Sequence, residues 1–120
     1  MQRTILFAED DDELREAICD QLVEAGYGVT TAADGQQALD LLEGAAFDLA
    51  LLDIRMPGKD GLHVLRHIKS TTPATRVIML TGVDDFTVAI ESVKLGANDY
   101  ITKPFSLEDL LARIKKFLTR

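Results

Sequence analysis

The chain has 120 residues, of which 47% are hydrophobic, and this size and composition fit one globular domain, which we predict to span residues 1–120. Its formal charge of -7 argues against binding nucleic acid or an anionic membrane through the net electrostatic field. With one cysteine, no recognisable signal peptide and no apolar stretch of membrane-spanning length, we expect a cytoplasmic protein without internal disulfides.

Five short apolar runs alternate with stretches of helical periodicity along the chain. The runs predict strands near Thr4 to Ala8, Tyr27 to Ala32, Phe47 to Leu52, Arg76 to Leu80 and Asn98 to Ile101. Strict alternation of strands and helices is typical of parallel strands joined by right-handed crossovers, with helices covering both faces of the sheet. We therefore predict an α/β fold with five parallel strands and five helices.

The first two predicted helices begin and end at residues that favour helix termini. The first carries an apolar stripe of Leu14, Ile18, Leu22 and Ala25 and ends at Gly26. We interpret Asp11 and Asp12 as the cap and a first-turn charge of this helix. The second helix begins at Asp34, and Gln37 is placed to complete a capping box with it.

The three remaining helices have comparable signals. The third starts near Asp60 or Gly61 and runs to about Lys69, and the fourth spans roughly Asp85 to Leu95 and ends at Gly96. The fifth opens with Ser106 and Asp109 as a capping pair, and the residues that we expect it to bury are Leu110, Leu111, Ile114, Phe117 and Leu118.

Acidic side chains follow two of the predicted strands at the point where each strand ends. Asp53 comes directly after the apolar run FDLALL, and Glu9 and Asp10 follow TILFA. If these strands are neighbours in a parallel sheet, the three carboxylates converge. Two carboxylates about 4 Å apart repel by roughly 4 kcal/mol at an effective dielectric constant near 20, so the cluster needs a proton or a cation. Oxygen ligands favour Mg²⁺ or Ca²⁺.

Two further polar residues follow the fourth and fifth predicted strands. Thr81 supplies a hydroxyl and Lys103 a positive charge at the same edge of the sheet, where ligands of such folds bind. These groups suit phosphoryl transfer, because Asp53 can attack phosphorus while a metal, Lys103 and Thr81 contact the phosphoryl oxygens. Gly82 leaves room beside Thr81 and is predicted to offer a free backbone N–H.

Four segments of the sequence resemble the response-regulator receiver domain of two-component signalling, in the family's order and at its separations. They are ILFAEDDDELRE, LALLDIRMPGKDG, VIMLTG and GANDYITKPF, and the resemblance extends over the whole chain. It implies a doubly wound, chemotaxis-regulator-like fold with strand order 2-1-3-4-5. It also implies a phosphorylation-activated switch that catalyses only its own phosphotransfer and dephosphorylation and turns over no metabolite.

The resemblance assigns roles to individual residues. Asp53 is implied to accept a phosphoryl group from the phosphohistidine of a sensor histidine kinase or a phosphotransfer protein. Glu9, Asp10, Asp53 and the backbone carbonyl of Arg55 are implied to bind Mg²⁺, with Lys103 contacting the phosphoryl group. Glu9 stands where many members carry Asp, and its longer side chain is able to reach the metal through water.

A conformational switch is a further implication of the resemblance. Thr81 and Tyr100 are similar to the pair that couples phosphorylation to a change on the surface of the fourth helix, fifth strand and fifth helix. An effector domain, a second copy of the chain or another partner would bind that surface. The Lys103–Pro104 bond is expected to be cis, although only about 5–6% of X–Pro bonds in folded proteins are.

The positions that flank the phosphoryl bond predict its lifetime. Arg55 and Val83 stand two positions beyond Asp53 and Thr81, on the path of the water that would hydrolyse the bond. Neither side chain acts as a base, and Arg55 is predicted to lie over the phosphoryl oxygens. We therefore expect slow self-dephosphorylation for the family.

Two other functions would use a similar set of residues. A Mg²⁺-dependent phosphatase with an aspartyl nucleophile would usually carry a second acid two residues after it, where this chain has Arg55. A phosphate-independent docking module of the same fold would typically lose the acids or the lysine, which this chain keeps. His63 and His67 are interpreted as a solvated helix face rather than a metal pair, because no further ligand nearby completes a site.

Overall fold

Residues 2–118, which the computed structural model describes, form a parallel sheet with helices on both faces. The elements are β1 (Thr4–Ala8), α1 (Asp12–Glu24), β2 (Gly28–Ala32), α2 (Gly35–Gly44), β3 (Leu49–Asp53), α3 (Gly61–Thr71), β4 (Arg76–Thr81), α4 (Phe86–Lys94), β5 (Asp99–Thr102) and α5 (Leu107–Leu118). The strand order is β2-β1-β3-β4-β5. The predicted fold class and strand order are confirmed. Within the described residues, no helix is both long and apolar enough to cross a membrane.

Each face of the sheet carries its own apolar core layer. On one face, Phe7 and Leu51 pack with Leu22 of α1 and Ile114 of α5. On the other face, Leu52 and its neighbours pack against residues of α2 and α3. Full burial of a Leu or Phe side chain contributes about 1.5–3 kcal/mol. The central strands are therefore buried on both faces, and this packing fixes the positions of the polar residues at their carboxyl ends.

Side-chain caps begin most of the helices at the predicted positions. Backbone amides three residues further on donate to Asp11, Asp34, Asp60 and Ser106. Gln37 departs from the predicted capping box, because its side chain accepts the N–H of Ala33 instead of that of Asp34. Ala25 is exposed rather than part of the buried stripe, since α1 ends one residue before it.

The third strand lies slightly later than its apolar run predicts. The carboxylate of Asp48 accepts the backbone N–H of Thr4 at 2.8 Å. That N–H is therefore not available to a backbone carbonyl before Asp48, which a longer pairing with β1 would require. β3 therefore begins at Leu49 and not at Phe47. At its other end, Asp53 pairs with Leu80 and is the last residue of the strand.

A glycine holds the segment after Asp53 close to the end of β3. A Cβ atom on Gly61 would lie 2.4 Å from the carbonyl oxygen of Asp53, which is closer than real Cβ atoms approach. The N–H of Gly61 also donates to the carbonyl of Ile54 at 2.9 Å. The absence of a side chain at the start of α3 thus lets that helix pack directly beneath Asp53.

Candidate functional site

Three carboxylates meet at the carboxyl ends of two neighbouring strands. Ala8 at the end of β1 is in register with Leu52, the residue before Asp53, so Glu9 and Asp10 emerge beside Asp53. Each of the three acids offers a carboxylate oxygen, and these oxygens lie within 4.8 Å of one another. The predicted convergence of the acids is confirmed.

Lys103 reaches this cluster from the far side of β4. Its Nζ atom lies 2.8 Å from Oε1 of Glu9 and 3.1 Å from Oδ2 of Asp53. The backbone N–H of Lys103 donates to the carbonyl of Thr81 at 2.6 Å, which fixes the chain where the long side chain begins. The Lys103–Pro104 peptide bond is cis, as the resemblance implied.

Burial changes how these groups ionise. Glu9 has no exposed surface, and its burial raises its pKa above the ordinary value even though the ammonium of Lys103 opposes the change. Burial lowers the pKa of Lys103, but its hydrogen bond to Glu9 and the charges of Asp53 and Glu9 outweigh this and leave the pKa raised. Lys103 therefore stays positively charged and partly neutralises the buried acids.

Backbone amides orient the two buried carboxylates. The N–H of Arg55 donates to Oδ1 of Asp53 at 3.2 Å, and the N–H of Asp11 donates to Oε2 of Glu9 at 3.1 Å. Each carboxylate is thus held by Lys103 through one oxygen and by a backbone amide through the other. Asp10 is exposed at the rim of the cluster.

The donor set fits a hard divalent cation. Glu9, Asp10 and Asp53 supply only oxygen ligands, and one lysine cannot neutralise three carboxylates when all are ionised. The amide contact between Arg55 and Asp53 brings the Arg55 backbone to the same place. That its carbonyl is a ligand stays a prediction.

Thr81 and Tyr100, the predicted switch pair, lie on adjacent strands. Thr81 is 1% exposed, and its Oγ1 atom lies 3.4 Å from the carbonyl of Ile101 and 3.4 Å from Oγ1 of Thr102. The hydroxyl is therefore turned toward β5. Tyr100 is half-buried and packs against the core layer that α2 and α3 cover. Their coupling stays a prediction.

One predicted feature of this edge differs from the structure, and the Arg55 side chain has a partner that the sequence does not predict. The backbone N–H of Gly82 is not free, because it donates to Oδ2 of Asp85 at 3.1 Å. The guanidinium of Arg55 is turned to the same acid, with Nε 2.8 Å from Oδ1 of Asp85 and Nη2 against that oxygen. Val83, the other residue predicted to flank the phosphoryl bond, is 73% exposed.

Asp85 is the site residue that sequence reasoning missed. The sequence predicts it only as the start of the fourth helix, as one of two adjacent acids in the loop after β4. Its side chain is 5% exposed, and the hydrogen bond from Arg55 lowers its pKa, with the Gly82 amide acting in the same direction. The spacing in the sequence carries no signal for this pair, because 30 residues separate Arg55 from Asp85.

The chain is similar to known proteins over almost its whole length. Residues 5–115 match the family model described as the response regulator receiver domain. The uncharacterized transcriptional regulatory protein YkoG of Bacillus subtilis is 40% identical over 114 residues, which cover 95% of this chain and 50% of YkoG. Response regulator MprA of Mycolicibacterium vanbaalenii is 40% identical over 116 residues, which cover 97% of this chain and 50% of MprA. This chain spans about half the length of these two relatives.

A solved structure shows the same likeness in three dimensions. The CheY-like response regulator receiver domain protein from Methanospirillum hungatei superposes with a TM-score of 0.92 at 33% sequence identity. The superposition covers 97% of this chain and 93% of that protein. The whole sheet and its helices are therefore shared.

Proposed function

This chain belongs to the response regulator receiver domain family, and we propose that it is a switch that accepts a phosphoryl group on Asp53. The donor would be the phosphohistidine of a sensor histidine kinase or a phosphotransfer protein. The observation that carries the proposal is the position of the Asp53 carboxylate, between the ammonium of Lys103 and the acids Glu9 and Asp10. A nucleophile, a fixed cation and a set of metal ligands therefore stand at one point.

The proposed reaction is an in-line transfer of the phosphoryl group. An oxygen of Asp53 attacks phosphorus, the bond from phosphorus to the donor nitrogen breaks, and the electron pair stays on the imidazole. Lys103 already contacts Asp53, so its ammonium can move to a phosphoryl oxygen with little reorganisation. A Mg²⁺ ion held by Glu9, Asp10, Asp53 and the Arg55 carbonyl would neutralise charge on the transferred group.

Dephosphorylation would be catalysed by the same site. Water attacks phosphorus from the side opposite Asp53 and returns the carboxylate and free phosphate. The domain would then act on its own phosphoryl group and on no metabolite. We expect this exchange to occur in the cytoplasm, where a kinase domain would meet it.

The output would be read from the surface formed by α4, β5 and α5. α4 exposes an apolar stripe there, with Phe86 66% exposed and Ile90 and Val93 also accessible. The two relatives described above are about twice as long as this chain, and one is named a transcriptional regulatory protein. We propose that an effector domain or a second copy of the domain binds this surface when Asp53 is phosphorylated.

Incubation with acetyl phosphate and Mg²⁺, followed by intact mass spectrometry, tests the proposal. We expect the mass of one phosphoryl group on the wild type and none on Asp53→Asn. Continuous release of phosphate without an adduct would favour an aspartyl phosphatase. A protein that showed neither adduct nor release would be a docking module that works without phosphate.

A further inference from the structure

The loop between β4 and α4 is closed around a buried acid. Asp85 accepts the backbone N–H of Gly82 on Oδ2 and the guanidinium of Arg55 on Oδ1. Its own backbone N–H donates to the carbonyl of Gly82 at 3.0 Å. The acid thus joins the segment after Asp53 to the segment after Thr81.

Asp85 does not cap the helix that it precedes. Its side chain makes no capping hydrogen bond to the described amides of α4, and the first turn of that helix contains no acidic residue. Aspartate in this position usually accepts an amide two or three residues on, which stabilises the first turn. Here the carboxylate instead accepts hydrogen bonds from Gly82 and Arg55, and the start of α4 lacks this side-chain cap.

The two segments that carry these donors both start next to the phosphoacceptor Asp53. Arg55 contacts Asp53 through its backbone amide, and Gly82 lies two residues beyond Leu80, the partner of Asp53 in the sheet. A phosphoryl group on Asp53 would carry about two negative charges and strong acceptor oxygens, against the single charge of a carboxylate. It would therefore compete with Asp85 for the same two donors.

We propose that Asp85 is a positioning residue that keeps the switch in its resting state, by occupying the Gly82 amide and the Arg55 guanidinium that the phosphoryl group would take. This inference rests on the proposed phosphorylation of Asp53. When the donors leave, the carboxylate of Asp85 is buried without these partners, which destabilises that arrangement. The N-terminal end of α4 then moves until the Asp85 carboxylate is solvated or accepts hydrogen bonds from the first backbone amides of α4. Phosphorylation is in this way coupled to the position of the exposed apolar stripe on α4.

Binding of beryllofluoride, a phosphoryl mimic, measures this competition directly. Isothermal titration in saturating Mg²⁺ is done on the wild type, Asp85→Asn and Asp84→Asn. Asp84 is the exposed neighbour of Asp85, so its replacement removes the same charge from the same loop and serves as the matched control. We expect Asp85→Asn to bind beryllofluoride at least about fivefold more tightly, the lower end of typical couplings between two sites. Asp84→Asn should change the affinity by less than about twofold, as expected of an exposed charge.

The affinity for Mg²⁺ alone separates a positioning role from a general loosening of the fold. We expect Asp85→Asn to leave Mg²⁺ binding in the absence of beryllofluoride unchanged, since Asp85 is not one of the clustered acids. An unchanged or weaker affinity for beryllofluoride in Asp85→Asn would overturn the inference. So would an equal gain in Asp84→Asn, because simple charge relief would then explain both.

The wild type alone provides a second test that does not depend on the variant folding. Nuclear magnetic resonance spectra with saturating beryllofluoride should show the Gly82 amide and the Arg55 Nε–H resonances among the most displaced. If both stayed in place while Lys103 and the residues around Asp53 shifted, the competition would not exist. A wild type that bound no beryllofluoride at all would instead contradict the proposed function itself.

Discussion

The Nζ atom of Lys103 lies 2.8 Å from Oε1 of Glu9, a carboxylate without exposed surface. The contact joins residues 94 positions apart and spans the central part of the sheet. It does not bring the pKa of Glu9 back to its ordinary value, because burial outweighs the ammonium. Without a bound metal, the ionised carboxylate of Glu9 therefore destabilises the folded protein. Protonation of Glu9, or its replacement by a neutral residue, should relieve this cost.

The first prediction concerns the pH dependence of stability. Since the folded-state pKa of Glu9 is raised above its ordinary value of 4.5, its contribution to the free energy of unfolding is present below pH 4.5 and lost as the pH rises through the folded pKa. Glu9→Gln resembles the protonated acid and cannot lose this contribution. In EDTA, Glu9→Gln should therefore gain stability relative to the wild type as the pH rises from 4.5 to neutral.

Urea denaturation of both proteins from pH 4.5 to neutral pH measures this difference. Glu16→Gln changes an exposed acid of α1 and should show no such gain. A difference between Glu9→Gln and the wild type that stays constant with pH would show that Glu9 titrates as an ordinary acid.

The second prediction concerns the metal. Because the carboxylates of Glu9, Asp10 and Asp53 crowd one another, Mg²⁺ at about 100 times its dissociation constant should add roughly 2.7 kcal/mol to the free energy of unfolding. Asp10→Asn should melt higher than the wild type in EDTA, since it removes one of the repelling charges. It should also lose most of the Mg²⁺ response and phosphorylation by acetyl phosphate.

Thermal melts with EDTA and with Mg²⁺ test both parts. Asp20→Asn removes an exposed acid of α1, outside the cluster, and should keep the Mg²⁺ response. A wild type that shows no shift with Mg²⁺, or an Asp10→Asn protein that melts lower in EDTA, would contradict the model of crowded acids.

The positions of the clustered acids could be predicted from the sequence, whereas the contacts across the loops could not. Asp53 and Glu9 each follow an apolar run, and a parallel sheet brings the ends of such runs to one edge. The pairing of Arg55 with Asp85 depends instead on the path of the loop after β4. Nothing in a local pattern decides whether an acid there caps α4 or binds a distant guanidinium. The free amide predicted for Gly82 was wrong for the same reason.

The third prediction concerns the lifetime of the phosphorylated state. Val83 carries an exposed apolar side chain that cannot orient a water, and the Arg55 guanidinium cannot act as a base, whether it binds Asp85 or the phosphoryl oxygens. The double replacement Arg55→Asn with Val83→Glu should speed phosphate loss on the order of tenfold, since a positioned polar group assists attack by water.

The decay of the phosphorylated protein after removal of acetyl phosphate gives the rate of dephosphorylation. Arg55→Asn with Val83→Leu lacks the added acid and should decay more slowly, and equal rates for the two double variants would contradict the role given to position 83.

The last prediction concerns transmission from Asp53 to the surface. A phosphoryl group should draw the Thr81 hydroxyl away from its long contacts with β5, because a charged acceptor forms a stronger hydrogen bond than the carbonyl of Ile101 at 3.4 Å. The space released beside β4 lets Tyr100, already half-buried, turn further inward. Thr81→Ala should therefore still be phosphorylated, more slowly, yet fail to change the surface of α4, β5 and α5.

Chemical shifts measured with beryllofluoride test this. In the wild type, resonances around Tyr100 should shift, whereas in Thr81→Ala the shifts should be confined to residues near Asp53. We expect the resting and active arrangements to exist in equilibrium, so that the ligand biases them only by its difference in affinity for the two, a few kcal/mol. Thr81→Ser keeps the hydroxyl and should keep the response, so loss of the response in both variants would assign the effect to packing and remove the hydroxyl from the mechanism.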